Sequence, residues 1–290
     1  MELTTSYKVL MYDTIAKINN SEIQHGFLNK RIYLMHLHKR DVPGILDDLE
    51  RLADRNKYTK IFGKIPASCW EPFLKRGYIK EAVIPGFFGG NEDCAFMGKY
   101  IDKKRSLSVN QDINKEVLEA ALKKLKEKNM EDFKLAKEFT FRKTRLEDSG
   151  EMSMIYSKVF DSYPFPIFDP EYLKKTMGEN IVYFGIWKED RLIALSSCEM
   201  DMDEKNVEMT DFAVLQDYRG YNFACFLLNQ MEREMKRRQI KTAYTIARAE
   251  SFGMNCTFAK CGYTFSGTLI KNTQIGGKIE DMNVWFKKLI

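Results

Sequence analysis

The chain has 290 residues, more than a usual single domain of about 100–200, so two packed units are the first expectation. Its 44% hydrophobic and 30% charged content excludes general disorder. The net charge of +5 comes from 46 basic and 41 acidic residues mixed along the chain, which argues against nucleic-acid binding, and no run approaches the roughly 18 apolar residues of a membrane span.

Met1 to Thr5 carry no basic segment leading into an apolar run, so a cytoplasmic protein is expected. Residues 32–37 read as a strand, Ile45, Leu46, Leu49, Leu52 and Ala53 recur at helical spacing, and residues 60–65 read as a strand again. Pro66 can open a short helix through Lys75, closed by Gly77. Strand-like segments 78–84 and 95–100 flank a turn-rich stretch over 85–93. Residues 114–130 present a helical stripe of Val117, Leu118, Ala121, Leu122 and Leu125 and join the two units, with the basic run at 123–128 as a solvated face.

From Phe139 the pattern restarts with a strand, a helix to Phe160, a Pro-rich loop, a helix near 171–177 and antiparallel strands at 181–188, 192–201 and 207–214. The units divide as residues 1–130 and 131–290. Trp70 to Tyr78 echoes Cys256 to Tyr263, each helix-like and ending in Gly-Tyr, with paired glycines following at Gly89-Gly90 and Gly276-Gly277. Helix–Gly–aromatic–strand units also recur by chance; if the echo is a duplication, the N-terminal unit is a partial copy of the C-terminal one. The six cysteines contain no CxxC pair and read as buried thiols; His36 and His38 share a sheet face but lack further ligands, so no metal is expected.

The segment from Val207 to Arg238 carries the chemistry. A strand ending at Val214 turns into a helix beginning near Phe223, which leaves the first helical N–H groups unpaired beside the positive end of the dipole. Gly220 lets backbone approach an anion closely, and Arg219 adds a permanent charge. The segment resembles the acetyl-CoA motif of the GNAT superfamily, with Arg219 and Ala224 at its ends and Asn222 where a second glycine is usual. The strand over 241–247 and the helix over 251–261 resemble that superfamily's last element.

This resemblance implies a central mixed, mostly antiparallel sheet flanked by helices, with acetyl-CoA as co-substrate and no metal. It implies cofactor contacts from Phe212, Ala213, Val214, Arg219, Gly220, Tyr221, Asn222, Phe223, Ala224, Asn255 and Phe258. Glu208 matches the general base of histone-acetylating members; Asp211 falls on the opposite strand face by alternation, so one carboxylate relays a proton or both are ordinary strand residues. Phe258 stands where many members have an acidic Tyr, leaving Tyr263 or a water as substitutes.

Tyr244-Thr245-Ile246-Ala247-Arg248-Ala249, Tyr163-Pro164-Phe165-Pro166-Ile167 and Ser196-Ser197-Cys198-Glu199 are similar to the β-lysine N6-acetyltransferase family. That resemblance implies acetylation of the β-lysine side-chain amine, giving a compatible solute for osmoadaptation. The acceptor needs acids for its second ammonium and a cation or amides for its carboxylate; Asp161, Tyr163, Glu199, Asp201, Asp211 and Arg248 are the candidates. Arg248 can equally pair with Glu250 or Asp211, and the Tyr163 loop can equally pack the core. The alternatives are another amine acceptor (lysine, a polyamine, a protein lysine) or a non-catalytic acetyl-CoA sensor.

Overall fold

The computed structural model describes residues 12–126 and 133–290, so the end of the helix expected over 114–130 lies outside the described residues. The N-terminal half contains β1 (Thr14–Ile18), β2 (Ser21–Gly26), β3 (Arg31–His36), α1 (Gly44–Arg55), β4 (Lys60–Pro66), α2 (Trp70–Lys75), β5 (Ile79–Phe88) and β6 (Glu92–Tyr100). Helix α3 (Gln111–Lys126) leads to β7 (Phe139–Lys143), α4 (Ser149–Val159), α5 (Pro170–Gly178), β8 (Ile181–Lys188), β9 (Arg191–Asp201) and β10 (Asn206–Val214). The chain ends with α6 (Phe223–Arg237), β11 (Thr242–Arg248), α7 (Phe252–Lys260), β12 (Thr264–Ile275) and β13 (Lys278–Lys288).

Local chemistry explains several boundaries. Asp169 accepts the Glu171 N–H at 2.9 Å and Pro170 occupies the first turn, so α5 starts where its orphan donors are capped. The turn expected over 85–93 is shorter than the sequence suggested: β5 runs to Phe88, and the reversal needs only Gly89, Gly90 and Asn91, both glycines at positive φ. Strands β1 and β2 escaped the sequence reading; β1 is a largely exposed edge strand without a clear apolar face.

The described strands form one 13-stranded sheet in the order β1-β2-β3-β4-β6-β5-β12-β13-β11-β10-β9-β8-β7. Its neighbours are antiparallel except β3 with β4 and β10 with β11. Each parallel pair is bridged by a helix, α1 or α6, as a parallel crossover requires. After the second parallel strand each half has another helix, α2 or α7, then Gly-Tyr, with Gly77 and Gly262 both at φ +80°. Tyr78 N–H bonds back to Phe73 and Tyr263 N–H to Phe258, so the sequence echo marks the same turn twice. The halves meet edge to edge where Ala82 of β5 pairs with Gly267 of β12.

Register carries one face without interruption across both halves. Tyr33 lies opposite Phe62, Phe96 opposite Ala82, Gly267 opposite Val284, Val284 opposite Ile246, and Tyr244 opposite Glu208. The sheet curls around this face, because Lys64 of β4 reaches the Tyr244 hydroxyl of β11 at 3.4 Å. Tyr33, Phe62, Phe87, Phe96 and Tyr244 fill the resulting hollow as an aromatic cluster. On the outer face Ile45, Leu46 and Leu49 of α1 are buried against Ile61 and Ile65; each fully buried side chain of this kind contributes roughly 1.5–3 kcal/mol. Helix α3 packs on α7, and its Ala121 belongs to the C-terminal core, so by packing this connector sides with the second half.

Candidate active site

The site forms where two neighbouring strands part. β10 and β11 pair only through Asn206–Thr242, Val207–Ala243 and Glu208–Tyr244, and beyond Glu208 they diverge. On its other side β10 carries a bulge: Thr210 faces Ser197 and Ala213 faces Leu195, so Asp211 and Phe212 together oppose Ser196. Asp211 sits at φ +54°, unusual for a non-glycine residue. Strict alternation put Asp211 on the face opposite Glu208. The bulge instead turns it to line the same cavity as Glu208 and Thr210, where it accepts hydrogen bonds from Tyr163 and from Ser197 at 2.5 Å.

The gap opens into a cleft of about 670 Å³, bordered by Phe212 and Val214 of β10, residues 245–248 of β11, the loop before α6, and α7. Gly220 (φ +92°) and Asn222 (φ +58°) are both left-handed, so asparagine does adopt here the conformation that glycine would supply. The helix's first backbone bond runs from Phe226 N–H to Asn222 O, leaving the N–H groups of Phe223 and Ala224 free at the positive end of a 15-residue helix. A Cβ on Gly220 would meet nothing within 4 Å, so open space lies beside this loop. Free amides, Arg219 and open space together fit a pyrophosphate-bearing cofactor.

Behind the cleft lies a smaller cavity of about 110 Å³ on the concave face of the sheet. Tyr163, Thr210 and Asp211 border both spaces. Glu199 and Glu208, opposite each other on β9 and β10, line the inner cavity with Lys64. Burial, reinforced by the Glu199 charge, pushes Glu208 up to about 8, against the opposing pull of Lys64. Burial also raises Glu199 and Asp211, the latter in spite of hydrogen bonds from Ser197 and Tyr163. Although burial pulls the other way, Tyr33, Glu208 and Glu199 hold the Lys64 ammonium above its ordinary value.

Of the cofactor contacts expected from sequence, Phe212, Val214, Arg219, Gly220, Asn222, Phe223, Ala224 and Phe258 border the cleft. Phe258 meets Phe212 edge to face at 5.7 Å. The Ala213 side chain is buried in the core. Tyr221 is 56% exposed, stacks on Phe223 and faces a different surface hollow. Asn255 is fully buried and structural, donating to Arg248 O and Ser251 O and accepting from Asn283 and Trp285.

Tyr263 borders neither space: its ring is buried against Phe258 with the Lys287 ammonium 5.6 Å away, so it is not positioned to protonate a leaving group. Among the acceptor candidates, Tyr163, Glu199 and Asp211 line the inner cavity. Asp161 is exposed outside it, and Asp201 accepts the Glu204 N–H at 2.9 Å in a separate surface hollow. Arg248 faces the cleft but pairs with Glu280 at 2.9 Å rather than with Glu250 or Asp211.

The sequence reading missed the contribution of the N-terminal half. Gln24, Arg31, Tyr33, Phe62 and Lys64 line the inner cavity from the opposite wall. One signal was present: Arg31 in β3, and Lys60 and Lys64 at even spacing in β4, place cations in otherwise apolar strands, where a charge needs a partner.

Residues 151–263 match the acetyltransferase (GNAT) family. The chain is 41% identical over 276 residues to a β-lysine N6-acetyltransferase of Methanococcus maripaludis, covering 95% of this chain and 98% of that protein. It is 34% identical to the N-acetyltransferase YodP of Bacillus subtilis, covering 92% and 95%. It is 29% identical to a β-lysine N6-acetyltransferase of Methanosarcina mazei, covering 83% and 95%. With a divergent strand pair, free amides at the start of α6 and identity spanning both halves, the chain is an N-acetyltransferase and belongs to the β-lysine N6-acetyltransferase family within the GNAT acetyltransferases.

Proposed function

We propose that the protein transfers the acetyl group of acetyl-CoA to the N6 amine of β-lysine. The observation that carries this reading is the carboxylate of Glu208 at the last paired position of β10 and β11, lining a cavity that adjoins the cleft at the start of α6. Acetyl-CoA supplies a thioester carbonyl, which the amine attacks directly with loss of the thiol. The free N–H groups of Phe223 and Ala224, with Arg219, bind the pyrophosphate.

Glu208 takes the proton from the acceptor ammonium. An alkylammonium of pKa about 10.4 costs roughly 4 kcal/mol to deprotonate near pH 7.4, and a carboxylate raised to about 8 is better matched to that proton than an ordinary one. The neighbouring Lys64 ammonium also disfavours a second cation and so promotes the deprotonation. A thiol with a pKa of about 8.5 leaves without a strong acid, so Phe258 in place of a tyrosine does not remove a required group. Asp211 and Tyr163 fix the wall between donor and acceptor.

We read the chain as two units, residues 1–130 and 131–290, with the connecting α3 packed on the second; the second holds the donor and both enclose the acceptor. The product carries one ammonium and one carboxylate and is neutral overall, which suits a solute accumulated in the cytoplasm for osmoadaptation. The test is thiol release from acetyl-CoA with β-lysine, α-lysine, diamines, spermidine and a lysine peptide, with mass analysis of the products. Acetylation confined to β-lysine N6 is the expected result; preferential turnover of a peptide or a polyamine would replace this acceptor.

A further inference from the structure

Gln24, Arg31 and Asn272 line only the inner cavity and not the cleft, so they occupy the part away from the donor. They are 1%, 4% and 1% exposed. Both side-chain atoms of Gln24, the Nε of Arg31 and the Oδ1 of Asn272 have no hydrogen-bond partner among the described residues. Buried amides and guanidinium groups are rarely left so, because each forfeits its hydration without compensation. Three such side chains on one cavity wall describe a surface built for a polar ligand.

The charge pattern narrows the ligand. Arg31 donates through Nη1 to Asn272 O and to Thr273 Oγ1 at 3.1 Å, and lies 5.4 and 5.6 Å from the rings of Tyr33 and Phe62. These contacts fix the guanidinium; the Asp13 and Glu81 charges favour it from a distance, but no carboxylate among the described residues forms an ion pair with it. Burial pulls it down to about 10, which still leaves it charged at neutral pH. Lys64, by contrast, already faces Glu199 and Glu208. A pocket for a polyamine would present acceptors alone, whereas a buried unpaired guanidinium beside two amides suits a carboxylate with an ammonium close to it.

We propose that Arg31, Gln24 and Asn272 form the specificity site for the amino-acid head of the acceptor. Arg31 binds the carboxylate, and the amide oxygens of Gln24 and Asn272 accept from the ammonium on C3. The N-terminal half and the β12–β13 hairpin thereby read the acceptor, while β10 and α6 hold the donor. This assignment rests on the acceptor proposed above being an amino acid.

The experiment compares β-lysine with pentane-1,4-diamine, the same skeleton without its carboxylate, using the full-length protein and Arg31→Met, Arg31→Lys and Gln24→Leu. The wild type is expected to prefer β-lysine by about 10⁴-fold in kcat/KM, the scale at which a site built to pair a group rejects the analogue lacking it. Arg31→Met should remove that preference through KM for β-lysine, with the diamine's kcat/KM held or raised and acetyl-CoA affinity kept; Arg31→Lys should restore part of it. Equal losses on both substrates, or a preserved preference, would overturn the assignment. Gln24→Leu removes no hydrogen bond within the protein and keeps the proposal testable if the Arg31 variants do not fold: it should raise KM for β-lysine about tenfold, and an unchanged KM would sink it. A wild type that ignores β-lysine and favours diamines refutes the acceptor itself, an outcome visible before any variant is made.

Discussion

Tyr163 donates its phenolic hydrogen bond to Asp211, and both residues border the donor cleft and the acceptor cavity. Tyr163 lies between α4 and α5, beside Pro164, while Asp211 is the bulged residue of β10. The pair therefore ties a loop to the point where the central strands diverge. Burial beside Asp211 raises the phenol well above its ordinary pKa, so Tyr163 remains a donor throughout the neutral range. Tyr163→Phe leaves Asp211 with Ser197 and a longer Thr210 contact, and should cost about 1–3 kcal/mol of stability, the usual loss when one partner of a buried polar pair is removed. Urea unfolding measures it, and a loss near zero would mean that the loop is not held by this bond.

Activity should rise with pH through about 8. Glu208 must be ionised to act as base, and its pKa is raised to about 8, so kcat/KM falls as pH drops below that value. Glu208→Gln should lower kcat by roughly 100-fold or more and abolish this limb while sparing acetyl-CoA affinity. Lys64 holds Glu208 down, so Lys64→Met should move the limb to higher pH. An unshifted limb in Lys64→Met would show that another group titrates.

The same shift has a stability consequence. Because the folded state holds the Glu208 proton more tightly than an unfolded carboxylate of pKa about 4.3, this contribution is fully present below about pH 4 and is lost as pH rises toward about 8. Thermal unfolding of the wild type and of Glu208→Gln across pH 5 to 9 should accordingly show the variant gaining relative stability with rising pH. A constant difference between them would rule out the raised pKa.

Gly220 and Asn222 test the donor loop. At φ +92° an alanine is strained by about 1–2 kcal/mol even though its Cβ meets no protein atom, so Gly220→Ala should weaken acetyl-CoA binding by about tenfold. Asn222→Gly should bind acetyl-CoA at least as well as the wild type, and Asn222→Val worse, since a β-branched side chain tolerates φ +58° poorly. Calorimetric titration separates these cases.

The joint between the halves should be sensitive. Lys60 and Glu81, 0% and 2% exposed in their side chains, pair at 2.8 Å, and they hydrogen-bond respectively to the carbonyl and the N–H of Ile270 on β12. Glu81→Ala strands a buried ammonium and should cost about 3–5 kcal/mol. At Gly267 a Cβ would come within 2.1 Å of the Glu81 carbonyl, so Gly267→Ala should destabilise the β5–β12 junction. Since both halves line the inner cavity, β-lysine turnover should fall with either variant before the fold is lost.

The sequence by itself determined the helices and strands from β7 to α7, the left-handed loop before α6 and the repeated Gly-Tyr turn. These follow from short-range rules: apolar periodicity, unpaired N–H groups at a helix start, and the freedom of glycine and asparagine at positive φ. Only the tertiary structure decided which side Asp211 faces, because one inserted residue in β10 reverses strand alternation. It also decided that Arg248 meets Glu280, that Tyr263 is buried away from the site, that Lys64 confronts Glu208, and that Arg31 lines the same cavity. Those pairings join strands far apart in sequence and depend on the register and curl of the whole 13-stranded sheet, which no local window of residues contains.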